Sequence, residues 1–132
     1  MKKENTNTTY NVQIAEASKE LTVKERIQLK DTSGALGLNE ATDTEAVIID
    51  VDFYATLDVH NEKAQGDKDY KQYILVDKSG QRYATSSTSF WNTFIGIADE
   101  VSDAGLEEFA VKVYKKPSKN YKGKSFITCS LV

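Results

Sequence analysis

The stretch AVIIDVDFYATLDVH, residues 46–60, constrains the fold most. Ile49, Val51, Phe53, Ala55, Leu57 and Val59 form one set of alternate positions, and Ile48, Asp50, Asp52, Tyr54, Thr56, Asp58 and His60 form the other. A period of two is the signature of a half-buried β-strand, because successive side chains leave opposite faces of the pleat. Strands usually run about five or six residues, so one this long is expected to bend or bulge and to serve two parts of a curved sheet.

The remaining elements follow from the same rules. Tyr10, Val12 and Ile14 alternate and suggest a short strand. Thr22 followed by Glu25 fits a capping box, so residues 23–30 read as a short helix with Val23, Ile27 and Lys30 on one face. Residues 31–34 end it with turn chemistry. Leu36 and Leu38 alternate around Gly37, which suits either a short strand or an ordered loop. Residues 70–77 and 81–85 form a hairpin around Lys78-Ser79-Gly80. Phe90, Phe94, Ile97 and Val101 then recur at helical spacing, widened by Trp91, Ile95 and Ala98. Ser87 or Thr88 caps this helix, and Gly105 closes it. Two more alternating segments follow, 108–115 and 125–132. In the first, Phe109, Val111 and Val113 oppose Ala110, Lys112 and Tyr114. In the second, Phe126, Thr128 and Ser130 oppose Ile127, Cys129 and Leu131.

The expected order is β-β-β-α-β-β, with the short N-terminal helical segment before it. That is the order of an OB-like, five-stranded, partly open barrel with one helix between strands three and four. A generic α+β sheet has the same order. Residues 1–9 are expected to be a flexible N-terminus, and 10–132 a single domain.

Composition excludes several classes. Hydrophobic residues make up 39% of the 132, enough for one core. The longest apolar run, residues 46–49, is far short of a membrane span. No apolar stretch follows the basic start, so no signal peptide is read and an intracellular protein is expected. Cys129 is the only cysteine, which excludes an intrachain disulfide and a Cys-based zinc site. It is read as a small strand residue.

The formal net charge of -3 hides an asymmetry. Residues 40–69 hold nine acids and two lysines, a net of -7, whereas 107–132 hold six lysines and two acids, a net of +4. A globally acidic protein can still present a local positive surface. The plainer alternative is that the two blocks face each other or are both solvated.

Catalytic signals are weak. Residues 121–125 contain GKS, but the earlier glycine of a phosphate loop is missing. Asp50 and Asp52 are near enough to share a cation, which would suit a nuclease. Alternate acids on a solvated strand face are common, and no catalytic residue, cofactor or metal is expected. The stronger constellation is Lys112, Lys115, Lys116, Lys119, Lys122 and Lys124 interleaved with Tyr114 and Tyr121. Single-strand binding without sequence preference needs cations for phosphates and flat rings for bases. Tyr54, Tyr70, Tyr73, Arg82 and Tyr83 would extend such a platform if the sheet closes. Each tyrosine also suits an ordinary half-buried sheet position.

YILVDKSGQRYATSSTSFWNTFIGIADE (residues 73–100) and VYKKPSKNYKGKSFITCSLV (113–132), together with LTVKERIQLKDTSGALGLNEA (21–41), resemble the small single-stranded DNA-binding proteins of phages and prophages of low-GC Gram-positive bacteria. The resemblance spans most of the chain after residue 20. It implies an OB-like protein that coats displaced single strands during phage replication or recombination, in the cytoplasm of an infected or lysogenic host. It also implies a homo-oligomer, with a dimer favoured, and contact with phage or host replication and recombination proteins. Lys116, Lys119, Tyr121, Lys122 and Lys124 would then touch DNA. The bacterial housekeeping version ends in an acidic recruiting peptide, whereas this chain ends in Thr-Cys-Ser-Leu-Val. A non-enzymatic accessory module that binds a host or phage protein is the competing expectation.

Overall fold

A computed structural model of the chain describes residues 9–119 and 123–132. Its elements are β1 (Tyr10–Ala17), α1 (Val23–Lys30), a single 3-10 turn (Thr32–Gly34), β2 (Leu36–Gly37), α2 (Leu38–Ala41), β3 (Val47–Asn61), β4 (Asp69–Asp77), β5 (Arg82–Thr85), α3 (Thr88–Asp103), β6 (Phe109–Pro117) and β7 (Ser125–Leu131). Of the expected flexible residues 1–9, residues 1–8 lie outside those described, and the Thr9 carbonyl accepts from the Glu62 N–H at 2.8 Å.

The strands form one mixed, curled, open sheet in the order β2-β5-β4-β3-β6-β7, with β1 also paired to β3. All pairs are antiparallel except β2 with β5. The sheet therefore has seven strands where five were expected. β1 and β2, read from sequence only as short alternations, join it as edge strands. They also shift the long helix, which follows the fifth strand of the chain rather than the third.

β3 organises the sheet. Its first half, Val47 to Val51, pairs with β6, and its second half pairs with β1 on the same side. Along its opposite side it pairs with β4. The expected bulge is present between Val51 and Phe53. Its consequence departs from the sequence reading. The inserted residue reverses which face the odd positions occupy. Ile49 and Val51 join one core cluster, while Phe53, Ala55, Leu57 and Val59 join another on the opposite face. The six residues are all buried, but they do not line one face.

The first cluster lies under α3, whose Phe90 and Phe94 are 1% and 0% exposed and pack on Leu75, Val111, Val113, Ile127 and Cys129. Each such aromatic contributes about 1.5–3 kcal/mol by leaving water. Ser87 caps α3, its hydroxyl accepting from the Phe90 N–H at 3.2 Å. Gly105, at φ 77°, ends it: the Leu106 N–H reaches back to the Val101 carbonyl at 3.1 Å.

The second cluster is covered by α1. Thr22 and Glu25 form the expected capping box, but the buried side chain is Leu29, and Val23 and Ile27 are 74% and 65% exposed. An eight-residue helix offers one turn's width of contact, and here Arg82 sets its orientation. The Arg82 guanidinium donates to the Gln28 carbonyl and, at 2.9 Å, to the Asp31 carbonyl, both at the end of α1. The β4–β5 turn forms as expected. Asp77 accepts from the N–H groups of Ser79 and Gln81, and Gly80 takes φ 92°. No described helix is long and apolar enough to cross a membrane.

Candidate nucleic-acid interface

Alternation along β6 and β7 sorts their side chains onto two faces. Val111, Val113, Ile127 and Cys129 face α3 and are 5% exposed or less. The other face is open. The register sets Lys112 opposite Ser130, Tyr114 opposite Thr128 and Lys116 opposite Phe126. Ile48 of β3 stands opposite Lys112 on its other side. Phe126 and Ile48 are 43% and 57% exposed. The Lys112 ammonium lies 5.9 Å from the Tyr114 ring centre. Among the described residues, Lys112, Lys116, Lys119 and Lys124 make no ion pair. Lys119 and Lys124, which flank the residues outside those described, are exposed.

The structure thus brings together Lys112, Tyr114 and Lys116, with Lys119 and Lys124 beside them. Tyr121 and Lys122 lie outside the described residues. Lys115 points to the α3 side, opposite Ile127, and pairs with Asp43. One lysine of the basic block therefore does meet the acidic block.

The expected extension of the platform is engaged in packing. Tyr54 meets Trp91 and Phe94 edge-on, at 6.0 and 5.0 Å between ring centres. Burial, then Asp99, pushes its phenol up from the ordinary value. Tyr83 packs against the first core cluster, and burial followed by Asp77 raises its phenol as well. Tyr73 stacks on Trp91 at 4.8 Å and is 7% exposed. Arg82 holds the end of α1. Tyr73 is buried, and Tyr54, Arg82 and Tyr83 are half-buried.

Phe126 and Ile48 are members of this surface that sequence reasoning missed. Phe126 was assigned to the correct alternation, opposite Ile127 and Cys129, but alternation alone does not say which face is covered. The signal was available in its register: a phenylalanine that shares parity with Lys116 across a hairpin shares the lysine's face.

Among the described residues, four acids of the acidic block make ion pairs, two of them with the same imidazole. His60 binds Asp69 through Nδ1 at 2.7 Å and Glu62 through Nε2 at 2.6 Å, which raises its pKa, Asp69 contributing most. Lys71 binds Asp58 at 2.6 Å. Asp50 and Asp52 are exposed on either side of Val51, and among the described residues no group of three or more His, Cys, Asp or Glu side chains is arranged to hold a metal ion. Burial pushes the Cys129 thiol up to about 11, which disfavours the thiolate a nucleophile needs.

A concavity of about 420 Å³ lies between the end of β1 and α3, lined by Glu16, Tyr54, Lys71, Trp91 and Asp99 among others. Another, of about 390 Å³, lies between α3 and the end of β7, with Ile97, Val101, Leu106 and Leu131 in its wall. Comparison with protein-family models, with curated proteins and with solved structures finds no match to this chain.

Proposed function

We propose that the protein binds single-stranded DNA with little sequence preference, using the open face of β6 and β7 and the connection between them. The observation that carries the reading is the sharing of one uncovered face by Lys112, Lys116, Tyr114 and Phe126. Cations there neutralise phosphates, and rings offer a π-face that any base can use. No bond is broken in this role, and it calls for no cofactor.

The strand pairing supports the same reading. Counted from β3, the pairs β3–β4, β4–β5, β3–β6 and β6–β7, with α3 between β5 and β6, have the order of a five-stranded OB-like barrel left open. OB barrels take oligonucleotides on their second and third strands and through the connection between their fourth and fifth. Here that connection is the lysine-rich segment 118–124. The second and third strands, β4 and β5, pack into the two core clusters from Tyr73 onward, which favours β6 and β7 as the binding face. The likeness to phage and prophage single-stranded DNA-binding proteins fits a role in replication or recombination in the cytoplasm of a bacterial host, alongside phage or host proteins of those processes.

Fluorescence anisotropy with labelled oligo-dT tests it. Tight binding of the single strand, weaker binding of the duplex, and loss of affinity in Lys112→Gln/Lys116→Gln are expected. Absence of binding at low salt with micromolar protein would sink the proposal.

One observation favours a second reading, an accessory module that holds another protein. Leu106 and Leu131 are 58% and 51% exposed in the wall of the groove beside α3. A pull-down from nuclease-treated host lysate discriminates: a stoichiometric partner retained by the wild type and lost in Leu106→Glu favours this reading.

A further inference from the structure

The register sets Glu16, Thr56 and Tyr73 in one row across β1, β3 and β4. In the next row the Ser18 N–H donates to the Tyr54 carbonyl at 2.9 Å, and the Ser18 hydroxyl accepts from the Tyr54 N–H at 3.0 Å. Residues opposite each other on neighbouring strands share a face of the sheet. Glu16, Thr56 and Tyr73 therefore share the face on which Trp91 of α3 stacks. Trp91, Ile95 and Asp99 recur at every fourth residue of α3 and form one stripe along it. That stripe, this patch of sheet and the end of β1 bound the concavity of about 420 Å³.

Its walls are of two kinds. Trp91 is held by stacking on Tyr73 and by the edge-on contact with Tyr54, so the aromatic wall is fixed before any ligand arrives. Tyr54 and Ile95 are half-buried and add apolar surface to it. Glu16 and Asp99 are exposed, stand on different elements and make no ion pair among the described residues. Lys71 also lines the cavity, but Asp58 already holds its ammonium at 2.6 Å. Three carboxylates and one ammonium thus meet there, and the local field is negative. An anionic ligand would face like charges. A neutral apolar one would take water from two carboxylates and offer them nothing in return.

We propose that this cavity binds an organic cation, a guanidinium or ammonium carried on a short apolar stem. The head lies with Glu16 and Asp99, and the stem lies against Tyr54, Ile95 and the edge of Trp91. Small-ligand pockets span about 300–1,000 Å³ and combine an apolar lining with a few polar groups that fix orientation, and this cavity has that size and make-up. A guanidinium is the better head, because it is more weakly hydrated than an ammonium and its flat fork meets carboxylates in two parallel bonds. The site stands apart from the nucleic-acid reading. It lies on the side of the sheet that α3 covers, whereas Lys112 and Tyr114 lie on the other, and its carboxylates repel phosphate.

Trp91 is the only tryptophan of the chain, so its fluorescence reports on this wall directly. Titration with n-butylguanidinium at low salt is expected to give a saturating change, with calorimetry alongside to register binding that leaves the emission unaltered. n-Butylurea has nearly the same shape without the charge, and is expected to bind about tenfold more weakly or worse. Glu16→Gln/Asp99→Asn is expected to lose about tenfold in affinity for the cation. Its thermal midpoint should be retained, because both side chains are exposed. Lys112→Gln/Lys116→Gln is expected to bind the cation as the wild type does, which separates this site from the β6–β7 face. N-Acetyl-arginine amide carries the same head as a protein side chain does. Tighter binding of it than of n-butylguanidinium assigns the site to an arginine of a protein, weaker binding assigns it to a free small molecule, and either upholds the site. No saturable signal by either method at tens of millimolar overturns the proposal. So does n-butylurea binding as tightly as the guanidinium, or a Glu16→Gln/Asp99→Asn protein that binds the cation like the wild type.

Discussion

Phe126→Ala separates binding from folding more cleanly than any other change on the open face. The residue sits on β7 opposite Lys116, and 43% of it is exposed. Full burial of a phenylalanine contributes about 1.5–3 kcal/mol. Somewhat more than half of that surface is covered here, so truncation costs at most about 1.7 kcal/mol of stability. Stacking of one base on an aromatic ring contributes about 1–3 kcal/mol. Affinity for oligo-dT is therefore expected to fall by about 5- to 150-fold. The assay is anisotropy of a labelled oligonucleotide at low salt, with a urea melt of each variant alongside. Leu106→Ala is the control, because Leu106 is similarly exposed but lies by α3. If Phe126→Ala binds within twofold of wild type while remaining folded, the stacking role assigned to this face is wrong.

Other changes probe the scaffold. Phe94→Ala, at a site with 0% exposure between Tyr54, Trp91 and Phe109, is expected to cost about 3–5 kcal/mol in urea unfolding. Arg82→Ala frees the carbonyls at the end of α1. It is expected to lower stability by about 1 kcal/mol and leave oligo-dT affinity unchanged, whereas a DNA-contacting arginine would show the reverse. His60 is held above its ordinary pKa by Asp69 and Glu62. Its contribution to stability is complete below the unfolded value of about 6.5 and fades as pH rises through the raised folded value. His60→Gln is expected to flatten that part of the thermal midpoint against pH. An unchanged profile would assign the dependence elsewhere.

Much of this architecture was legible in the residues. The capping box at Thr22, the cap at Ser87, the turn at Gly80 and the closure at Gly105 are local chemistry, and each lies where its sequence places it. The bulge in β3 was legible as excess length. Its effect was not, because a change of face depends on where the extra residue sits against β4. The packed face of α1 was misread for a related reason. Val23 and Ile27 are the periodic apolar pair, yet the anchor at Arg82 turns Leu29 inward. At the candidate site, the lysines and Tyr114 were visible as a cluster. Tyr54, Tyr73 and Tyr83 are chemically identical to Tyr114 in sequence. Only tertiary contact with α3 and the core under it separates them from an open platform.

The salt dependence of oligo-dT binding tests the central claim most directly. Each phosphate neutralised on a single strand contributes about -0.7 to the slope of log affinity against log salt. A clearly negative slope is expected for the wild type, shallower by about 1.4 in Lys112→Gln/Lys116→Gln. A slope near zero, or one that the double substitution leaves unchanged, would contradict binding of single-stranded DNA on the β6–β7 face.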